Sequence, residues 1–471
     1  MISKENTIER QTTLTAPLAT LSRREFIKRM GLLGGGLIVY CTVGDIPAQA
    51  RAPREGFLGG NVPTDFNAFL QISADNRVTC FVGKIEMGQG PITSFAQMMA
   101  EELDVAYESV DMVMGDTDRC PWDAGTWGSF STRYYGIFVK EAASEAKGVL
   151  KELAAERLLC PPSRLVTENG LIFDSNRPMS RVTYGELTAG KIIGRHLKNL
   201  PPLKPVSEYT ISGKPYLRRD ALDKVTGRAK YTADIRLPGM VYARIVRPPA
   251  HGAKLLRVDT SAAENMKEAQ VVRDGDLIAV LHPHPEGAAE VLAAIKTDYK
   301  LPDTGISDET IFNHLVENAP EPVIAAEAGN LKDGEKQATS IIEETYLNSY
   351  VSHAPMEPHA ALAAVDGDKI TVWASTQTPF NVKGQVAQAL EMPMENVRVI
   401  TPFVGGGCGG KSASAQAVEA ARLAKRSGKP VMVNWTREEE FFFDNVRQAA
   451  VVIIRGGIDD AVRRCFWKYQ V

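Results

Sequence analysis

Apolar positions along this chain switch between two periods, and the switches mark out its elements. Short apolar runs, some alternating with polar residues and some continuous, predict strands over 77–83, 241–246, 277–281, 339–346, 361–365, 370–374, 397–404, 431–435 and 449–455. Apolar residues at helical spacing predict helices over 92–103, 134–159, 287–299, 382–390 and 413–425. The 134–159 segment is Ala-rich, with Glu and Lys on its polar side, which suits a long helix. Met87-Gly88-Gln89-Gly90 separates the first strand from the first helix, and 116–131 is loop-like, with Gly, Pro, Asp and two Trp. The Pro-rich stretch 200–206 closes a first region. The pattern predicts an α+β fold with mixed sheets, built from a region 65–205, a smaller α/β unit 214–305, and a β-rich region 336–471.

The densest glycine run, Gly405-Gly406-Gly407-Cys408-Gly409-Gly410-Lys411-Ser412, follows the predicted strand 397–404. Glycine backbone can approach a ligand closely and present its N–H groups, so such a loop suits a phosphate or an oxo-anion. Read literally, it satisfies the phosphate-loop pattern G-x-x-x-x-G-K-S/T. A phosphate-loop ATPase also needs a parallel sheet continuing past the loop, with an acidic residue ending a later strand to hold Mg²⁺. Only 411–471 follows, and the one good strand there ends in Asn434-Trp435-Thr436. Nucleotide binding is the weaker reading.

The N-terminus points outward from the cytoplasm. Ser22-Arg23-Arg24-Glu25-Phe26-Ile27-Lys28 is a twin-arginine pattern, the run 30–43 is moderately apolar, and Ala48-Gln49-Ala50 offers the small residues a signal peptidase reads. Residues 1–50 are expected to be an export signal cleaved after Ala50. As a membrane anchor the run falls short of the ~20 apolar residues needed, and it carries Gly31, Gly34, Gly35 and Gly36. A lipid-modified Cys41 is disfavoured by bulky Tyr40 before it. The twin-arginine route carries folded proteins, usually with a cofactor in place, so a periplasmic cofactor protein is expected. The periplasm also lacks ATP.

The remaining composition mostly excludes. At 471 residues, 44% apolar and 24% charged, the chain is long enough for two to four ordinary globular domains. A net charge of −3 leaves no electrostatic footprint for nucleic acid. The six cysteines have no close spacing and the seven histidines are mostly scattered, so no zinc, iron–sulfur or other protein-ligand metal set is legible.

Five motifs stand in order: Gly88-Gln89-Gly90, Gly128-Ser129-Phe130-Ser131-Thr132, His353-Ala354-Pro355-Met356-Glu357-Pro358, Gly406-Gly407-Cys408-Gly409-Gly410-Lys411 and Thr436-Arg437-Glu438-Glu439. Together they resemble the molybdopterin-binding large subunit of the xanthine oxidase family, and within it the exported branch typified by the isoquinoline 1-oxidoreductase beta subunit. The resemblance covers about residues 65–455. It implies that 65–205 and 336–471 form one molybdopterin-binding body, with 214–305 as an inserted hammerhead-like unit.

A molybdenum pterin dinucleotide carries a pyrophosphate, a flat heterocycle and metal-bound oxygens, so it needs neutral donors and close backbone approach. Gln89, between Gly88 and Gly90, can offer its amide to the cofactor. Gly128, Ser129, Ser131 and Thr132 stand before a helix, where N–H groups and the helix dipole favour an anion. A plain turn and an ordinary helix cap explain the same residues. The resemblance places the backbone of Gly407, Cys408, Gly409 and Gly410 around the metal centre. It puts Glu357, Cys408, Ser412 and Arg447 in the substrate pocket, with Glu357 a structural residue of the wall. Relatives commonly have Phe at the position of Cys408, and some have Glu at that of Ser412, which argues against a purine substrate.

The family reaction is hydroxylation of an electron-poor carbon in N-heteroaromatics or aldehydes, with water as the oxygen source and a Glu as general base. That Glu stands in a Gly-rich segment, and no Gly-Glu-Gly or Pro-x-Gly-Glu pattern occurs in this chain. The base is therefore expected beyond Val471, and no catalytic residue is assigned. The implied cofactor is molybdopterin cytosine dinucleotide. The implied partners are a small subunit with 2Fe–2S clusters, a cytochrome electron acceptor, and a second polypeptide completing the molybdopterin domain. The alternative is a non-catalytic remnant or scaffold of the same family.

Overall fold

The computed structural model describes residues 37–39, 69–189, 197, 199–303 and 305–471. The expected export signal, 1–50, falls outside the described residues apart from 37–39. In the first region, strands β1 (Leu37–Val39), β2 (Phe69–Ile72) and β3 (Val78–Val82) run antiparallel in turn. Helix α1 (Pro91–Leu103) then crosses over to β4 (Val110–Met114), which pairs parallel with β3. Parallel neighbours need such a crossover, and the helix supplies it. Phe95, Met99 and Leu103 repeat every fourth residue and give α1 a buried stripe.

Helix α2 (Gly136–Leu158) lies against this stripe through Ala142, Ala143, Ala146 and Leu150. Its small residues let the two helices approach closely. Each large side chain buried there contributes about 1.5–3 kcal/mol, so the helix pair holds the region together. An antiparallel meander of β5 (Leu165–Glu168), β6 (Leu171–Asp174) and β7 (Arg177–Thr183) completes it.

The rest of the chain opens with β8 (Val241–Ile245), β9 (Lys254–Asp259), β10 (Gln270–Asp274), β11 (Leu277–His282), helix α3 (Pro285–Ala293) and β12 (Lys296–Lys300). The predicted helix 287–299 therefore stops at Ala293. Pairing of β12 with β9 claims the residues after it, as tertiary context often overrides local periodicity. After α4 (Leu331–Gln337) come β13 (Ser340–Asn348), β14 (Val351–Ser352), β15 (Ala360–Asp366), β16 (Lys369–Ala374), α5 (Pro379–Ala389) and β17 (Val397–Ile400). The chain goes on through α6 (Ala415–Ser427), β18 (Val431–Asn434), α7 (Arg437–Phe443), β19 (Val446–Arg447), β20 (Ala450–Ile458) and β21 (Arg464–Gln470).

Seven of these strands form one mixed sheet, in the order β10-β11-β8-β18-β15-β16-β17. Strands of the 214–305 and 336–471 segments thus share a single sheet and a single core. Ala417, Ala420, Ala421 and Ala424 of α6 pack on its face. Beyond it stand two smaller sheets, β13-β20-β21 and the short ribbon β14-β19.

The two parts of the chain meet along β17. Thr117 N–H donates to Val399 O (3.0 Å), and Thr401 N–H to Gly115 O (2.8 Å). Ion pairs Arg398–Asp116 (2.6 Å) and Lys383–Asp118 (3.2 Å) flank that seam. Among the described residues no helix is long and apolar enough to cross a membrane.

Candidate cofactor site

The seam leads to the glycine loop. Beyond β17 the chain leaves the sheet at Thr401-Pro402, and 405–412 curls over a floor of buried polar side chains. Thr376, Gln377 and Thr378, between β16 and α5, are all nearly inaccessible. Gln377 Nε2 donates to Thr126 O (2.7 Å), while its Oε1 accepts from Gly409 N–H (3.0 Å). Its backbone N–H reaches Lys411 O (2.8 Å), and its carbonyl accepts from Thr126 N–H (3.0 Å). One side chain thus joins the loop at 125–127 to the loop at 405–412. Thr376 and Thr378 hydroxyls bind the carbonyls of Lys411 and Ser412.

Lys411 is fully buried and points down from the loop. Its Nζ donates to Glu357 Oε2 (2.7 Å), which also accepts from Gly405 N–H (2.7 Å). Burial holds the Lys411 ammonium below the ordinary lysine value, against the pull of Glu357. A phosphate-loop lysine would instead stand free to reach an anion. Here it is committed to a structural ion pair, which removes the nucleotide reading's central group.

Below that pair lies a second one. Both ring nitrogens of buried His359 are engaged: Nδ1 lies 2.9 Å from Glu440 Oε2 and Nε2 3.1 Å from Ala413 O. Burial pushes the Glu440 carboxyl up, but the bonds from His359 and the charge of Lys411 win and hold it below its usual range. Asp444, just past α7, sits against Gly410, where any Cβ would overlap its carboxylate. Burial pushes Asp444 above the usual carboxylate range, and among the described residues its Oδ2 has no hydrogen-bond partner. His353 Nε2 would lie 3.0 Å from a Cβ on Gly409.

The loop's own donors divide into two sets. The N–H groups of Gly405, Gly409, Gly410 and Ser412 bond to Glu357, Gln377, Gly407 O and Gly409 O. Among the described residues, no hydrogen bond engages the N–H groups of Gly406, Gly407 or Cys408. Gly406 (φ 90°), Cys408 (φ 53°) and Gly409 (φ 111°) have left-handed backbone, so successive peptide groups can converge as in an anion-binding nest. For Cys408 this costs strain, as it does for Ser129 (φ 57°) and Ala354 (φ 43°) in two other motifs. Three unengaged donors on an immobilised backbone fit an anionic cofactor edge.

Two family models, each described as a molybdopterin cofactor-binding domain, match residues 25–231 and 315–463. A nicotinate dehydrogenase subunit of Pseudomonas putida is 31% identical over 429 residues, covering 87% of this chain and 36% of that protein. The beta subunit of isoquinoline 1-oxidoreductase from Brevundimonas diminuta is 28% identical over 498 residues, covering 93% and 62%. A membrane-bound aldehyde dehydrogenase (pyrroloquinoline-quinone) of Gluconacetobacter polyoxogenes is 25% identical over 480 residues, covering 96% and 60%. The chain is a molybdopterin-binding subunit of the xanthine oxidase family. It spans less than two thirds of the length of each of these relatives.

Within this molybdopterin-binding subunit the other expected site residues fall into distinct places. Gln89 is exposed, and its amide closes its own turn: Oε1 accepts from Met87 N–H (2.8 Å) and Nε2 donates to Ile85 O (3.0 Å). Gly88 and Gly90 N–H both donate to Glu86 Oε1, so a buried carboxylate already fills the start of α1. The Gly88–Gly90 turn still adjoins the site, because Val404 N–H donates to Glu86 O (3.2 Å).

The serine-threonine run begins a wide turn, Ser131–Tyr135, that feeds α2. Ser131 is buried, Gly128 and Ser129 are exposed, and Thr132 Oγ1 meets Ser94 Oγ on α1 (3.1 Å). Cys408 is exposed at the loop's crest, and Ser412 is half-buried with its N–H turned back to Gly409 O. Arg447 is exposed on the β14-β19 ribbon and donates to Ser349 O (3.2 Å). That ribbon reaches the loop through His353, whose Nδ1 lies 2.7 Å from Asn445 O.

Sequence reasoning missed Gln377, His359, Glu440, Asp444 and Glu86. One signal was available. Ser375-Thr376-Gln377-Thr378 is a polar run directly after a strand whose neighbours are apolar, and such a run needs partners if buried.

Proposed function

We propose that this chain is the cofactor-binding part of an exported molybdenum hydroxylase that oxidises N-heteroaromatic or aldehyde substrates. The observation that carries this reading is the set of unengaged N–H groups at Gly406–Cys408, on a backbone fixed from below by Gln377 and the Lys411–Glu357 pair. A bound molybdenum pterin, as the cytosine dinucleotide, supplies two-electron oxidation with water as the oxygen source.

The chain's own residues bind and orient. The three N–H groups donate to the cofactor's anionic edge without reorganising, because Gln377 and Glu357 hold the flanking peptides. Gly409 and Gly410 keep side chains from lifting the loop off His353 and Asp444. Cys408, at the crest, presents a small thiol where a substrate would lie. Glu357 is tied to Lys411 and Gly405, so it shapes the wall and moves no proton. Electrons leave to a small 2Fe–2S subunit and then a cytochrome, and the twin-arginine pattern directs export to the periplasm.

The test is to express the chain with its N-terminal segment, purify it with whatever assembles on it, and measure molybdenum, pterin and nicotinate or aldehyde turnover. Stoichiometric molybdenum with turnover supports the hydroxylase. A pure complex without molybdenum and pterin leaves a scaffold instead.

A further inference from the structure

Two apolar side chains stand open beside the Gly406–Cys408 seat. Met356, in the motif 353–358, is 89% exposed, and Phe441, the first of three phenylalanines on α7, is 52% exposed. The backbone places Met356 at the glycine loop. A Cβ on Gly406 would stand 3.7 Å from Pro355 Cβ and 3.9 Å from Met356 N. The next residue is fastened there twice: Glu357 N–H donates to Gly405 O (3.0 Å), and Glu357 Oε2 accepts from Gly405 N–H (2.7 Å). Ala354, two residues earlier, is left-handed (φ 43°), the kind of backbone strain that collects at functional sites.

Arg437, one turn before Phe441, joins the two side chains. Its Nη2 donates to Pro355 O (2.6 Å) and Met356 O (3.1 Å), and its guanidinium lies 5.7 Å from the centre of the Phe441 ring. A capping box of Thr436 and Glu439 sets the start of α7 and so the place of that guanidinium. Phe442 and Phe443 are taken up elsewhere, the first stacked on His251 (4.0 Å) and the second against Trp435 and Arg247. Apolar residues exposed singly are ordinary. Met356 and Phe441 differ in flanking one guanidinium, next to three unengaged N–H groups.

We propose that Met356 and Phe441 are specificity-determining residues, an apolar wall on which a substrate ring lies while the seat holds the cofactor. This rests on the cofactor-subunit reading above. The two side chains select a flat aromatic face by their chemistry. A thioether is polarisable and a phenyl ring meets another ring offset or edge-on, so both gain from a π face. A small aliphatic aldehyde covers little of either surface. The unbranched Met356 side chain adapts to rings of different width, while Arg437 keeps the backbone beneath it in place.

The test uses the purified assembly, with isoquinoline as the ring probe and acetaldehyde as the small one. In Met356→Ala and in Phe441→Ala, the ratio of kcat/KM for isoquinoline to that for acetaldehyde should fall about tenfold, through the KM for isoquinoline rather than kcat. The calorimetric Kd for isoquinoline should rise by about the same factor. Met356→Leu and Phe441→Tyr should restore most of both. Melting should not move, because both side chains are already exposed. An unchanged ratio, an equal loss for the two probes, a loss carried by kcat, or variants that shed molybdenum would overturn the assignment. So would a wild-type assembly that binds no isoquinoline. Molybdenum content separates this idea from the one it rests on. Metal and turnover with an unmoved ratio remove the wall alone. Isoquinoline binding that weakens in the variants of a metal-free, inactive assembly keeps the wall and removes the hydroxylase.

Discussion

Two glycine turns of this protein share a left-handed φ and have opposite chemistry. Gly88 (φ 108°) and Gly409 (φ 111°) both need a left-handed conformation that side chains resist. Around Gly88 the donors are already taken, by the carboxylate of Glu86 and the amide of Gln89. Around Gly409 the protein uses the flanking donors to pin the loop and leaves those of Gly406–Cys408 unengaged. Glycine content therefore marks where backbone can come close. Whether a ligand is what comes close depends on buried side chains far away in sequence.

The sharpest way to break this comparison is to remove the support under one loop. Lys411→Met leaves Glu357 unpaired in a buried site and should cost about 3–5 kcal/mol in chemical denaturation. Adding Glu357→Leu should recover most of that loss. A lysine that served a nucleotide would show the reverse, with binding lost and stability kept.

The two glycines can then be compared directly. Gly409→Ala meets His353 as well as the backbone penalty and should cost about 2–3 kcal/mol. Gly88→Ala, with nothing among the described residues within 4 Å of the new methyl, should cost about 1 kcal/mol. Equal shifts in melting temperature would falsify the claim that the second loop is clamped and the first is not. Glu86→Ala strips the carboxylate from the start of α1 and should cost about 1–2 kcal/mol by thermal melting. If 88–90 were the true anion site, the same change would strengthen anion binding there, which titration calorimetry would register.

The smallest effect carries a pH signature. Burial raises Asp444 above its ordinary 3.8, so the folded state keeps a proton that the unfolded chain releases. Wild-type stability therefore falls as pH rises from the ordinary value through the raised one. Asp444→Asn should gain about 1 kcal/mol relative to wild type at pH 7 and nothing at pH 3. Melting curves at the two pH values check the sign.

Much of the fold was legible because long periodic runs tolerate little ambiguity. The helix read at 92–103 forms as Pro91–Leu103, and the strand read at 370–374 as Lys369–Ala374. The strand read at 397–404 ends at Ile400, since Thr401 turns aside to Gly115. The meander 165–183 went unread because its strands are short and half polar. For the site, the glycine loop was visible, but its floor was not. Gln377 lies 251 positions from Thr126 and 32 from Gly409, and no local pattern encodes either contact. Gln89 shows the converse, since a lone amide between glycines does not reveal that its own turn engages it.

The Arg398–Asp116 pair joins residues 282 positions apart, and that separation has a kinetic meaning. Contacts across so long a loop close late in folding, after the chain entropy of the loop is lost. The seat at Gly406–Cys408 hangs from that seam through Gln377 and Thr126, so its assembly depends on that long-range closure. A slow or faulty closure there would leave the loop formed in sequence and unformed in space, without touching a single donor.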